Sequence, residues 1–118
     1  MRPVSLASSS LAAEDAPVFV HSVYFWLKDD LSDADRAAFV AGLESLATID
    51  SVRFVHIGMP AGTDRPIIER SYTYAIVLGF DDEAGHDLYQ EHDIHERFRQ
   101  ACSPFWSRVL IFDSTSEA

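Results

Sequence analysis

One short stretch of the chain, LYQEHDIHERF at residues 88–98, holds a tyrosine and two histidines at spacings that could support proton transfer. We interpret Tyr89 and His95 as a candidate catalytic acid/base pair, because a neutral imidazole can accept a proton and a phenol can stabilise a developing oxygen anion. The D-x-x-E pattern that begins at Asp93 predicts a helix N-cap just before His95. The positive end of that helix would disfavour imidazolium and keep His95 neutral at pH 7.

The same residues also have a structural interpretation. His95 lies at helical spacing from Phe98 and Cys102, which is typical of a packed core histidine, and Tyr89 could be a half-buried tyrosine at the core edge. His92 and His95 are three residues apart, but a metal site needs three or four ligands and no third is evident, so we predict no metal site. Catalysis and packing therefore both remain open from spacing alone.

The elements that must position these side chains follow the order β-α-β-β-α-β. Segments rich in β-branched and aromatic residues predict strands, and apolar residues at spacings of three and four predict helices. This order is typical of an α+β, ferredoxin-like βαββαβ fold, in which one four-stranded antiparallel sheet carries helices on one face. The predicted strands are residues 18–27, 51–59, 72–80 and 108–113, and the predicted helices are residues 31–49, capped by Ser32 or Asp33, 82–91 and 94–105.

Both faces of the sheet are predicted to be apolar. We expect residues such as Val23, Phe25 and Leu78 on the face that the helices leave open, where a second copy of the chain would be the simplest cover. The sequence thus predicts a homodimer joined sheet to sheet as a dimeric α/β barrel. It also predicts an enclosed, mostly apolar cavity between sheet and helices, with His21 on the first strand as one of its polar groups.

Length and composition limit the remaining classes of function. The 118 residues suggest a single domain over residues 17–118, preceded by a flexible tail at residues 1–16 that is too weakly apolar for a signal peptide. A net charge of −10 repels nucleic acid and anionic lipid, and the chain has no apolar run long enough for a membrane helix. A lone cysteine, Cys102, permits no intramolecular disulfide. We expect a cytoplasmic protein.

Three segments in this order resemble the stress-responsive dimeric α/β-barrel (Dabb) family: VHSVYFWLK near the start, YQEHDIHERF late in the chain and FWSRVLIFD at the end. The resemblance covers about residues 18–114 and extends to olivetolic acid cyclase-type members, which close linear polyketides without a cofactor. It implies acid/base roles for Tyr89 and His95 and pocket roles for His21 and His92.

Two tyrosines complete the predicted binding set. Tyr74 stands where the cyclase-type members have a further histidine, and Tyr72 is predicted to share its strand face. The predicted function is a stress-associated homodimer that binds a small hydrophobic or carbonyl-containing ligand without a cofactor, with cyclase- or isomerase-like proton transfer as its chemistry. The alternatives are a non-catalytic dimeric module and, by analogy of fold alone, a cofactor-free monooxygenase-like enzyme.

Overall fold

A computed structural model describes residues 18–116 of the chain, and these residues form a four-stranded antiparallel sheet with three α-helices packed on one face. The strand order is β2-β3-β1-β4, which is the ferredoxin-like arrangement expected from the sequence. The elements are β1 (Phe19–Leu27), α1 (Asp33–Leu46), β2 (Phe54–Gly58), β3 (Tyr74–Phe80), α2 (Glu83–Glu91), α3 (Asp93–Cys102), a 3-10 turn (Ser103–Phe105) and β4 (Trp106–Thr115).

Local signals place the first two helices as the sequence predicts. Ser32 caps α1 by accepting a hydrogen bond from the Asp35 backbone N–H at 3.0 Å, and the Asp35 carboxylate accepts one from the Ser32 N–H in return. Asp82 caps α2 by accepting a hydrogen bond from the Gly85 N–H at 2.9 Å. These caps satisfy N–H groups that have no partner within the helix, so each helix begins at a defined residue.

The break between α2 and α3 falls at His92, and the predicted cap at Asp93 is wrong. The His92 backbone is extended, with φ −72° and ψ 146°, so its own Nδ1 accepts the Ile94 N–H at 3.1 Å. Asp93 is therefore the first residue inside α3. Glu96 does not return to the cap; its carboxylate instead accepts a hydrogen bond from Arg99 at 3.2 Å.

The core lies between the sheet and the helices, and it includes the residues expected on the open face. In the register of β1 and β3, Val23 and Phe25 share a face with Leu78, and all three are buried beneath the helices. Strand alternation places every second residue of β1 on the core side, so the open face takes the residues in between. The larger side chains there are Tyr24, Trp26, Phe54, Leu110 and Phe112.

Two further expectations concern the chain as a whole. The predicted flexible tail, residues 1–16, lies outside the described residues. Among residues 18–116, no helix combines the length and the apolar character that a membrane crossing would need. The sheet and its three helices are the scaffold on which the candidate site is built.

Candidate functional site

A cavity of about 360 Å³ lies between the sheet and helices α2 and α3. This volume is within the range of pockets that hold small organic ligands. Its wall is mostly apolar, and the single chain does not enclose it: Val109 and Ile111 of β4 line the cavity and are 37% and 49% exposed. The polar side chains in its wall are His21, Tyr89, Gln90, His95 and Arg99.

The fold brings Tyr89 and His95 together at this wall. Tyr89 lies in the last turns of α2 and His95 in the first turn of α3, so the helix break between them turns the two rings toward each other. Their ring centroids are 4.9 Å apart with an angle of 71° between the planes. Tyr89 is 1% exposed. Burial raises the pKa of Tyr89, so the phenol keeps its proton.

The His95 imidazole is held in its neutral form. Burial is the first cause that lowers its pKa, and the positive charge of Arg99 and the neighbouring His21 lower it further. The sequence predicts the neutral form of His95 from its position at the helix N-terminus. Desolvation is instead the largest cause of its lowered pKa. Its Nδ1 atom is buried and has no hydrogen-bond partner among the described residues. A ligand in the cavity would therefore reach the ring through Nε2.

His21 enters the site from the central strand β1, with its ring centroid 5.7 Å from that of Tyr89. Its Nδ1 lies 2.5 Å from Oδ1 of Asp113, which stands opposite His21 in the β1–β4 register. Burial lowers the pKa of His21 by more than the Asp113 hydrogen bond raises it. The contact is therefore best described as a neutral imidazole N–H that donates to a carboxylate, and it fixes the orientation of the ring.

The other predicted binding residues lie away from this cavity. His92 is half-buried and caps α3 through its ring. Tyr74 packs against Phe39 of α1, with ring centroids 5.7 Å apart. Tyr72 precedes β3 and lies against Tyr24 on the opposite face of the sheet, at 5.0 Å. None of the three predicted residues lines the cavity, and their binding roles stay a prediction.

Two residues of this region were missed by sequence reasoning. His86 is buried, and its ring centroid lies 4.8 Å from that of His21. Its spacing of three residues from Tyr89 on one helix is a signal that could have placed it on the same face. Asp113 could only be assigned once the pairing of β1 with β4 was known. Together, His21, His86 and Asp113 form a group that could hold a metal ion. The prediction of no metal site considers only His92 and His95.

The sequence model of the stress responsive A/B barrel domain (Dabb) family matches residues 19–116, so the chain belongs to this family. The resemblance seen in the three sequence segments is thus confirmed. No protein with a curated description shows significant similarity to the chain.

Solved structures with the same fold include three informative neighbours. A Dabb family protein with a ferredoxin-like fold from Mesorhizobium loti is 22% identical, covering 86% of this chain and 99% of that one, with a TM-score of 0.70. A hydroxynitrile lyase from Passiflora edulis is 17% identical, covering 85% and 94%, with a TM-score of 0.71. A dimeric ferredoxin-like protein of unknown function from Thermobifida fusca is 19% identical, covering 86% and 93%, with a TM-score of 0.69. At these identities the likeness establishes the shared fold alone.

Proposed function

We propose that this Dabb protein is a homodimer whose cavity binds a small hydrophobic or carbonyl-containing molecule and transfers a proton on it. Tyr89 and His95 would act as the acid/base pair, and His21 would orient the ligand. The observation that carries the proposal is the contact of the Tyr89 and His95 rings, 4.9 Å apart, at the wall of a mostly apolar cavity. Sites for small molecules typically combine such a cavity with a few convergent polar groups.

The homodimer is supported by the open face of the sheet. Phe54 and Phe112 on this face are 56% and 59% exposed, and Tyr24 packs beside Phe112 at 6.2 Å between ring centroids. An exposed apolar surface on an otherwise packed unit is typical of a protein interface. Structural neighbours, including the one from Thermobifida fusca, are described as dimeric. A second copy is therefore the partner that best fits this face.

Proton transfer follows from the protonation states of the two side chains. In the tautomer protonated at Nδ1, neutral His95 would have a lone pair at Nε2 that can take a proton from the carbon next to a ligand carbonyl. Tyr89, whose raised pKa keeps its hydroxyl protonated, can donate a hydrogen bond to the carbonyl oxygen as negative charge develops there. Return of the proton from His95 to a second carbon gives isomerisation, and attack of the enolate on a second carbonyl gives an aldol-type ring closure.

A packing-only role for the same residues is supported by the burial of Tyr89. Its side chain is 1% exposed and packs against Phe80 with ring centroids 5.3 Å apart, as a core residue would. Among the structural neighbours, the Passiflora edulis protein is described as a lyase, so at least one protein with this fold is an enzyme. Experiment must separate the two roles in this chain.

The test is deuterium exchange at the methyl group of aryl methyl ketones, with acetophenone as the first probe, followed by proton NMR in D₂O. Wild-type protein should accelerate the exchange over buffer. Loss of a general acid/base typically costs about 10²–10⁴ in rate, so His95→Gln and Tyr89→Phe should return exchange close to the buffer rate. Both substitutions keep the approximate size of the side chain.

The control is Leu88→Gln, which changes an exposed residue of α2 that lies outside the cavity and away from the open face. It should exchange ketone protons as the wild type does. If His95→Gln and Tyr89→Phe fold and exchange normally, the acid/base pair is wrong. If no ketone of the panel binds or exchanges, while the same variants lose more than about 2 kcal/mol of stability, the residues are packing elements.

A further inference from the structure

We infer that His21, His86 and Asp113 form a binding site for one zinc ion beside the cavity. These residues come from three elements, β1, α2 and β4, and each places one donor atom in the same small cluster. The inference shares His21 with the proposed function but assigns no role to Tyr89 or His95, so zinc binding and ketone exchange can succeed or fail separately.

The positions of the donor atoms allow coordination with small side-chain movements. The three donor atoms all lie within 4.8 Å of one another. Zinc–nitrogen and zinc–oxygen distances of about 2.0–2.2 Å in a tetrahedral site place ligand atoms roughly 3.3 Å apart. The widest separation must therefore shorten by an amount that a change of rotamer can supply. Asp113, whose side chain is 39% exposed, is the ligand with room to move.

The second observation is the unpartnered ring nitrogen of His86. The residue is only 9% exposed, and its buried Nε2 has no hydrogen-bond partner among residues 18–116. Buried polar atoms in proteins are normally paired, so this nitrogen needs an explanation. Its other nitrogen, Nδ1, lies 3.3 Å from Oδ1 of Asp87. A carboxylate on one nitrogen that leaves the other free for metal is the usual arrangement of a zinc-bound histidine.

The donor types select the class of ion. Two imidazoles and one carboxylate suit a first-row transition ion such as zinc and leave the fourth tetrahedral position for water. Calcium and magnesium prefer a shell of oxygen atoms, which this group does not offer. On coordination, His21 changes tautomer: Nδ1 loses its proton to solvent and Nε2 takes one up, so the imidazole stays neutral and Nδ1 gives its lone pair to the metal in place of the present hydrogen bond to Asp113.

The experiment is calorimetric titration of the full, tag-free chain with zinc chloride, and separately with magnesium chloride. The test variants are His86→Phe, which keeps a ring against Phe19, and Asp113→Asn, which keeps the side-chain shape at a partly exposed position. Wild type should bind one zinc ion per chain and no magnesium. Each test variant should bind zinc at least 10-fold more weakly. The control His56→Gln, which removes the exposed histidine of β2 outside the three-residue group, should bind zinc as the wild type does.

Thermal unfolding gives a second reading of the same site, because an ion that binds only the folded chain raises the melting temperature. Zinc should raise it for wild type and His56→Gln, with a much smaller rise for the two test variants. If His86→Phe fails to fold, Asp113→Asn decides the outcome. Wild type without zinc binding, or undiminished affinity in a folded test variant, would overturn the inference; so would an equal loss of affinity in His56→Gln.

Discussion

The two faces of the sheet differ in how far this chain satisfies them by itself. On the helix-covered face, Phe25 and Ile76 are 2% and 0% exposed, and Phe25 packs against Phe39 of α1 and Phe98 of α3. On the open face, Phe112 is 59% exposed, and Trp26 is half-buried, with the Arg108 guanidinium 4.3 Å from its ring. The same strands therefore bear one apolar surface that is largely buried and one that is largely exposed.

This difference teaches where stability and function are placed. The covered face contains the core, the cavity and the buried rings of His21, His86 and Tyr89. Changes there should therefore act on folding and on the proposed proton transfer. The open face contributes little to the packing of the single chain, so changes there should act on assembly. The following predictions test that division, beginning with the largest expected effect.

Phe39→Ala should cause the greatest loss of stability. Phe39 is fully buried in α1 and packs against Phe25 at 5.1 Å between ring centroids. Removal of a buried aromatic ring typically costs about 3–5 kcal/mol, because apolar contacts are lost and a cavity remains. Urea denaturation would measure this loss. Ile67→Ala, at a loop residue that is 80% exposed, is the control and should change stability by less than about 0.5 kcal/mol. Similar losses in both variants would contradict the division between covered and exposed regions.

Phe112→Asp should break the proposed dimer while leaving the fold of each chain intact. A carboxylate buried against the partner copy would be desolvated without a counter-charge, so we expect a rise of about 100-fold in the dissociation constant, equivalent to about 2.7 kcal/mol. Sedimentation analysis would show a shift from twice 13.2 kDa toward 13.2 kDa, with an unchanged circular dichroism spectrum.

Leu88→Asp is the matched control, because Leu88 is 65% exposed on α2, away from the open face. It should leave the mass at that of a dimer. A wild-type mass equal to one chain, or dissociation caused equally by Leu88→Asp, would remove the interface from the open face.

The covered histidines should make stability depend on pH. The pKa values of His21 and His95 are lowered below the ordinary 6.5, mainly by burial. Below pH about 6.5 the unfolded chain takes up protons that the folded chain does not, so stability is full above that pH and falls as pH decreases toward the folded-state pKa values. The slope is at most about 1.4 kcal/mol per pH unit for each group.

Urea midpoints between pH 7.5 and 5 would measure this slope. His21→Gln should flatten it, because the substitution removes one of the two groups. The control is Leu88→Gln, at a position of α2 that is 65% exposed and away from the open face, which changes no titratable group and should keep the wild-type slope. A slope of the opposite sign, or one that His21→Gln leaves unchanged, would show that the buried imidazole is not destabilised by protonation.

Gly42→Ala should have the smallest effect, a net loss of about 1 kcal/mol. The added methyl group would lie 2.6 Å from Cys102 Sγ and 3.0 Å from Phe98 Cδ1, at the contact of α1 with α3. This overpacking exceeds the gain in helix propensity that alanine brings. In a Cys102→Ala background the same substitution should cost less, and the double-mutant cycle would measure the coupling. Strict additivity of the two changes would show that the helices separate freely at this contact.

The sequence by itself determined the elements and their order. Alternation in residues 18–27, the capping signal at Ser32 and the apolar spacing of Phe39, Leu43 and Leu46 act over a few residues, so they can be recognised without a fold. Tyr89 and His95 were identified for the same reason, since only a short helix break separates them. The resemblance to the Dabb family rests on the order of three such segments, and the family model that matches residues 19–116 confirms it.

Only the tertiary structure decided which side chains meet across the sheet. Asp113 faces His21 because β4 pairs with β1 in one register, across 92 residues of sequence, and a shift of one residue would turn it to the other face. The pairing of β1 with β3 likewise places Val23, Phe25 and Leu78 on one face, and the helices cover that face, contrary to expectation. Local patterns record the period of each element, whereas the choice of face depends on burying the greatest apolar area at once, which is a property of the assembled fold.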